Sequence, residues 1–243
     1  MAQVALTTDA LVRTARQLLV EGGPDSVVVR EVARRLGVTA GALYRHVSGR
    51  DDLLTLLIVA CTDEATEACA AALQTCRAGD VEGRLRAAMW AFRCWAVEHP
   101  PEFGLVYGTP LARYAAPEQG PTVVAARRFG ALFGALFVDL LHAGRLRTVD
   151  EASLPPALRA DLTAAAAELE LPLRPGELHP FVVGWHRMLG LVSIEVSGHL
   201  RWALGDATAF VRQQLDDATS GLLLPGPTVG LSEAGQRDSR GAC

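Results

Sequence analysis

Seven arginines fall among the first fifty of 243 residues (Arg13, Arg16, Arg30, Arg34, Arg35, Arg45 and Arg50), against four carboxylates, Asp9, Glu21, Asp25 and Glu31. The whole chain carries −4, so this stretch is a head of +3 on a remainder of −7. Guanidinium forks grouped this way suit phosphate oxygens. Beside them stand the phenol of Tyr44, the imidazole of His46 and the hydroxyl of Thr39. The run Thr39-Ala40-Gly41-Ala42 is small throughout, which lets a backbone approach a partner closely. The candidates for nucleic-acid contact are therefore Arg30, Thr39, Ala40, Gly41, Tyr44, Arg45, His46 and Arg50. Thr39 can bond a base edge or phosphate, or touch a thymine methyl. Tyr44 and His46 can reach phosphate oxygens, Arg50 can meet the same strand, and Arg30 and Arg45 can serve phosphate or base. Arg34 and Arg35 read as a solvated face. Tyr44 has a second reading, as a partly buried aromatic whose hydroxyl faces water.

A second group lies in the acidic remainder: Trp90, Phe103, Tyr107, Phe129, Phe133, Phe137, Trp185 and Met188, with His142, His186 and Glu195 as polar companions. Such a set can line a small-molecule pocket, although aromatics at helical spacing also make ordinary core. Glu195 lies on a mostly apolar helix and needs a partner. An internal arginine or backbone amide is one reading, and a ligand is the other. Enzyme chemistry has no support: there is no glycine-rich phosphate loop, no nucleophile elbow and no metal-ligand spacing. The histidines are scattered, so neither a metal nor a cofactor is expected. The five cysteines are odd in number and form no CxxC pair, as fits reduced thiols in a cytoplasm. No secretory signal appears, and no apolar run reaches the ~18 residues that span a bilayer. All basic residues are Arg, which suggests a GC-rich bacterial genome.

These groups must be positioned by helices, because apolar residues recur at three and four almost throughout. The chain is expected to be all-α: a three-helix head over 1–50, a helical body over 51–224, and a disordered Gly/Pro/Ser-rich tail over 225–243. The first helix should start at Thr7 or Thr8, bury Leu11, Ala15, Leu18 and Leu19, and stop at Gly22-Gly23-Pro24. A second spans Val29–Leu36, and a third runs from Thr39 to about His46. A long helix follows from Asp51 to about Cys76, then helices near 80–98, 101–108, 121–144, 155–170, 176–202 and 207–223. A loop is expected over Thr109–Gly120.

The segment Val29–His46 has the layout of a helix-turn-helix. Ala33 must be small where two helices cross, Gly37 supplies a left-handed turn, and Val32, Leu36, Val38 and Leu43 bury against the first helix. The strings Ala33-Arg34-Arg35-Leu36-Gly37-Val38 and Leu43-Tyr44-Arg45-His46-Val47, with Arg50 where a Lys is usual, resemble the head of tetracycline-repressor (TetR) family regulators. The resemblance covers about residues 8–56. It implies that Tyr44 and Arg50 touch phosphates and that Thr39 and Gly41 lie against bases. Three departures stand out: Val47 for a common Phe, Arg50 for Lys, and Val28 where a capping Thr is usual. His99–Pro110 and Gly184–Glu195 are similar to the WHG-type C-terminal domain of such regulators, with Leu189 in the position of its His.

The resemblance implies a DNA-binding transcriptional regulator, with double-stranded operator DNA, an unidentified small-molecule effector and a second copy of the chain as partners. The last two long helices are the expected homodimer surface, with Gly184, Gly190, Ser193, Ser197 and Gly198 small enough for close approach. A two-fold dimer matches a palindromic operator. A ligand that favours a wrong spacing of the heads would release the DNA, with residues 101–110 moving against the long helix. The competing reading is a DNA-binding regulator without a small-molecule ligand, controlled by a protein partner. Activation in place of repression depends on operator position, which the chain does not encode.

Overall fold

The computed structural model describes residues 6–77, 79–111, 114–116 and 119–225. Within them it is all-α, with ten helices and no β-strand beyond one isolated bridge, Leu146 to Leu223. The expected disordered tail lies almost entirely outside the described residues. So do four positions of the 109–120 segment, whose described part carries no helix.

The head is α1 (Thr8–Gly22), α2 (Val29–Leu36) and α3 (Ala40–Leu43). Thr7 caps α1 by accepting from the Ala10 N–H at 3.2 Å. Leu11, Ala15, Leu18 and Leu19 are buried, as their spacing requires. Gly23 (φ 72°) closes the helix, and the Ser26 hydroxyl donates to the Leu18 carbonyl. Val28 gives α2 no side-chain cap. Gly37 takes the left-handed conformation (φ 68°), and Val38 N–H returns to the Ala33 carbonyl at 3.0 Å. Val32, Ala33, Leu43 and Val47 are buried in the head core, whereas Leu36 and Val38 are only half-buried at its edge.

The body begins with α4 (Arg50–Gln74), which serves both parts of the molecule. Leu53, Leu54 and Leu57 complete the head core, and Cys61, Ala65 and Cys69 continue the same buried face into the body. α5 (Val81–Glu98), α6 (Pro100–Tyr107) and α7 (Pro121–His142) pack around it, with α8 (Pro156–Glu168) peripheral. α9 (Pro175–Val196) and α10 (Thr208–Gly221) pack on each other and on α5.

Two helix ends fall short of expectation. α3 stops at Leu43, because Arg45 and His46 N–H turn to acceptors three residues back and Tyr44–His46 form a tight turn. α9 stops at Val196 rather than 202: Gly198 adopts φ 73° and His199 N–H reaches the Ile194 carbonyl at 3.0 Å. That left-handed termination leaves residues 199–203 in turns.

Candidate nucleic-acid interface

The short third helix and the turn after it form the exposed end of the head. Thr39 caps α3, its hydroxyl oxygen accepting from Ala42 N–H at 3.1 Å. That places Thr39 and Gly41 on the outside, with Ala40 and Ala42 half-exposed between them. Leu43 and Val47 point inward and anchor the turn. Tyr44, Arg45 and His46 project outward from between those anchors, and Tyr44 is 53% exposed. The reading of Tyr44 as a core aromatic therefore fails. Arg30, at the start of α2, is exposed as well.

Electrostatics separates the arginines of the head. Arg34 and Arg35 are occupied: Arg34 Nε donates to Glu31 at 2.9 Å, and Arg35 to Glu21 at 2.9 Å. The Arg34 guanidinium, joined by that of Arg35, holds the Glu31 carboxyl down to about 2. Arg30 and Arg45 have no ion-pair partner among the described residues. Arg50 is intermediate, since its Nη2 donates to the Pro24 carbonyl at 3.0 Å and the Asp25 carboxylate at 3.1 Å. Asp52, on the first turn of α4, accepts from both the backbone and the hydroxyl of Ser48, which keeps its carboxyl below the usual range and fixes the junction beside Arg50. Of the eight residues expected at a nucleic-acid surface, six are exposed and Ala40 and Arg50 are half-buried; of the four that can carry charge, Arg50 is the one with an ion-pair partner among the described residues.

Behind the head, α6 links two environments through adjacent residues. Glu102 is buried, 4% exposed, and its nearest cation is Arg16 of α1, with Nε at 3.8 Å. That distance is too long for a hydrogen bond, and Arg16 Nε has no hydrogen-bond partner among the described residues. Arg16 also pairs with Glu64 of α4, which has His99 Nε2 at 3.7 Å on its other oxygen. Phe103, the next residue along, packs into the aromatic core against Phe92 (6.1 Å between centroids) and Tyr107 (5.3 Å). The indole N–H of Trp95, buried beside Phe92, has no partner among the described residues.

The aromatic group expected to line a pocket is mostly packed core. Phe129 meets Phe92, Phe133 and Trp185 at 5.3 to 5.4 Å, and Phe137 meets Phe181 at 5.3 Å. The cavity touching Phe133, Phe137, Trp185 and Met188 measures only ≈ 10 Å³, room for about one water. Burial raises the Tyr107 hydroxyl well above its ordinary value.

Four residues fall elsewhere. Trp90 leaves the ring cluster and lies under two guanidinium groups, Arg212 at 3.6 Å and Arg93 at 4.9 Å. His186 is exposed on the outer face of α9, and His142 is exposed at the end of α7. Glu195 is taken by Arg93, whose Nε donates to it at 2.9 Å, with both side chains 9% exposed. Its partner is therefore the internal arginine rather than a ligand. Phe181 and Leu85, not among the sequence candidates, also line the cavity, with Met89, Gly184 and Leu222; Phe181 sits one turn before Trp185 on the same face of α9, the signal that would have found it.

Among the described residues no helix is long and apolar enough to cross a membrane, and no cluster of His, Cys, Asp or Glu could hold a metal. A family model described as "Bacterial regulatory proteins, tetR family" matches residues 11–57. A second, "Tetracyclin repressor-like, C-terminal domain", matches residues 85–218. The HTH-type transcriptional regulator Rv1816 of Mycobacterium tuberculosis is 31% identical over 188 residues, covering 77% of this chain and 80% of its own. Two solved structures share the fold. A TetR-family regulator from Shewanella sp. PV-4 (TM-score 0.61, 18% identity) covers 90% of this chain and 98% of its own. FadR from Bacillus subtilis, in complex with stearoyl-CoA (TM-score 0.59, 12% identity), covers 88% and 99%. With its head and body each matched and a relative aligned across both, the chain belongs to the TetR family of DNA-binding transcriptional regulators.

Proposed function

We propose that this regulator is a cytoplasmic homodimeric repressor that holds a palindromic operator through Thr39–His46 and leaves it when a small molecule enters the body. The observation carrying this reading is the exposed, all-small start of α3, flanked by Arg30, Tyr44, Arg45 and His46 with no internal ion pair to satisfy them. Small residues let the helix end into the major groove, and the flanking groups reach phosphates on either side. Arg30 at the start of α2 and Arg50 at the start of α4 bracket the reading turn.

Dimer formation is supported by α9. His186, Gly190 and Ile194 form an exposed stripe at four-residue spacing, and nothing lies within 4 Å of a Cβ built on Gly190. A mid-helix glycine costs about 1 kcal/mol against alanine, and no neighbour among the described residues requires it. A second helix approaching closely does. Trp202, 89% exposed after the end of α9, and Phe210 in the first turn of α10 are further exposed apolar side chains on this part of the body.

Control by the body is supported by α6. Glu102 faces Arg16 of the head while Phe103 faces the ring cluster, so a ligand that displaces the rings loads the head through one short helix. The fold-sharing FadR of Bacillus subtilis was solved in complex with stearoyl-CoA, which supports a small-molecule effector here. A second reading, control by a protein partner without a ligand, is favoured by the near-complete filling of the core.

The test is the double variant Tyr44→Ala/Arg50→Ala, assayed on duplex selected from a random pool. It should fold and dimerise, bind far more weakly, and show a shallower dependence of log K on log salt, by about 0.9 for the lost arginine contact. An unchanged salt slope removes the phosphate assignment.

A further inference from the structure

We propose that the body takes an uncharged, largely hydrocarbon ligand at a site shared between a surface groove and the core, with Phe181 and Trp185 of α9 as the movable wall; this rests on the reading that a small molecule controls the regulator. The groove, ≈ 220 Å³, lies between α7 and α9 over Ala126, Gly130, Val182 and Leu169. The internal cavity of ≈ 10 Å³ lies behind it, against Phe133, Phe137 and Met188. Phe181 and Trp185 line both spaces. They are one helical turn apart with rings 6.3 Å between centroids, and one side-chain thickness separates groove from core.

The rest of α9 is held. A Cβ on Gly184, between the two rings, would lie 3.0 Å from Leu222 and 3.2 Å from Phe137. The backbone is thus already pressed onto the core, and rotation of the half-buried Trp185 is the cheaper movement. The outer wall is closely seated but carries a strained backbone. Leu169 and Leu171, both half-buried, sit in notches that Gly130 and Gly134 leave on α7, where a Cβ would come within 3.0 and 2.4 Å of them. Between these leucines Glu170 adopts φ 53°, the one left-handed non-glycine among the described residues, a conformation that side chains other than Gly, Asn and Asp rarely hold. The connection after α8 is therefore strained where it covers the groove.

Chemistry fixes the ligand class. No residue lining the groove or the cavity is ionisable. The most buried ion pair of the body, Arg93 of α5 with Glu195 of α9, satisfies itself and lines neither space. A charged ligand would lose its hydration here without a counter-charge, whereas rings and alkyl chains would replace packing contacts like for like. The groove alone is smaller than the about 300 Å³ from which ligand sites usually start, so full occupancy requires the two rings to swing.

The test compares two probes with one ring skeleton: N-phenyl-1-naphthylamine, which is neutral, and 8-anilino-1-naphthalenesulfonate, which is anionic. On the full chain the neutral probe should saturate at one per chain, and the sulfonate should bind at least tenfold more weakly. Ala126→Trp, at an exposed position in the groove, should weaken the neutral probe at least tenfold while circular dichroism and the thermal midpoint stay unchanged. Ala126→Phe, a smaller filling of the same position, replaces it if the first variant does not fold. Equal binding of both probes, no saturable binding, or neutral-probe binding indifferent to the filling variants overturns the proposal. A duplex-binding arm separates it from ligand control. Groove binding that leaves DNA affinity unchanged upholds the site and ends the control reading; DNA release by the neutral probe with undiminished potency in the filled variants does the reverse.

Discussion

Arg50 donates to Pro24 and Asp25 in the free chain, so the phosphate proposed for it would have to compete with them. Asp25 itself is fully exposed, and Arg50 is its one ion-pair partner among the described residues. Asp25→Ala should therefore tighten operator binding about twofold to fivefold, the range expected for removing an exposed ion pair of up to ~1 kcal/mol, measured by fluorescence anisotropy at fixed salt. Arg93 and Glu195 present the opposite case, a pair withdrawn from water. Arg93→Met should cost about 3 kcal/mol, because it strands a buried carboxylate, and urea unfolding would report it; a loss below ~1 kcal/mol would mean the pair is effectively solvated. Residue types foretold the need for a partner at Glu195 but could not name it, since Arg93 lies 102 residues away. The exposure of Tyr44 was open for a related reason: whether a phenol lies in or out depends on how Leu43 and Val47 seat the turn. His186 misled because spacing on a helix gives its face only once the neighbours of that helix are known.

At the level of elements, local signals carried most of the fold. Thr7, Thr39, Gly23 and Gly37 cap or close helices by chemistry visible in a few residues. Gly37→Ala tests one of them. A Cβ there meets nothing within 4 Å, so the cost is conformational alone, about 1–2 kcal/mol for a left-handed alanine. A thermal midpoint lowered by a few degrees, with weaker DNA binding, is expected. The ends of α3 and α9 were less legible. Neither Tyr44–His46 nor Ser197–Trp202 holds a proline, and helix length there is decided by which carbonyl the last N–H groups find. The ring cluster was legible as a set, but not its packing density, which depends on how α5, α7 and α9 close on one another.

For the whole molecule, assembly and acid stability can be measured directly. Gly190→Arg places a long cation where α9 leaves room for a neighbouring helix, and light scattering should show monomers with the helical content retained; an intact dimer would move the interface elsewhere. Several carboxylates, Glu21, Glu31, Asp52, Glu177 and Asp206, sit below their ordinary values because they accept from arginines, hydroxyls or backbone N–H groups. Their contribution is complete above the unfolded carboxylate range of about 4 and is lost as pH falls through the folded values, about 2 for Glu31. Urea midpoints should be level from pH 8 to 5 and fall below about pH 4.

α4 runs unbroken for 25 residues from beside Arg50 into the body, a rod about 37 Å long at 1.5 Å per residue. Tilting such a rod by about 5° about its body end carries the tip some 3 Å sideways, as far as a hydrogen bond is long. The machinery in the body can accordingly be nearly still. If the proposed phosphate contacts are made, one such pivot would unseat all of them at the far end together, making release abrupt rather than graded.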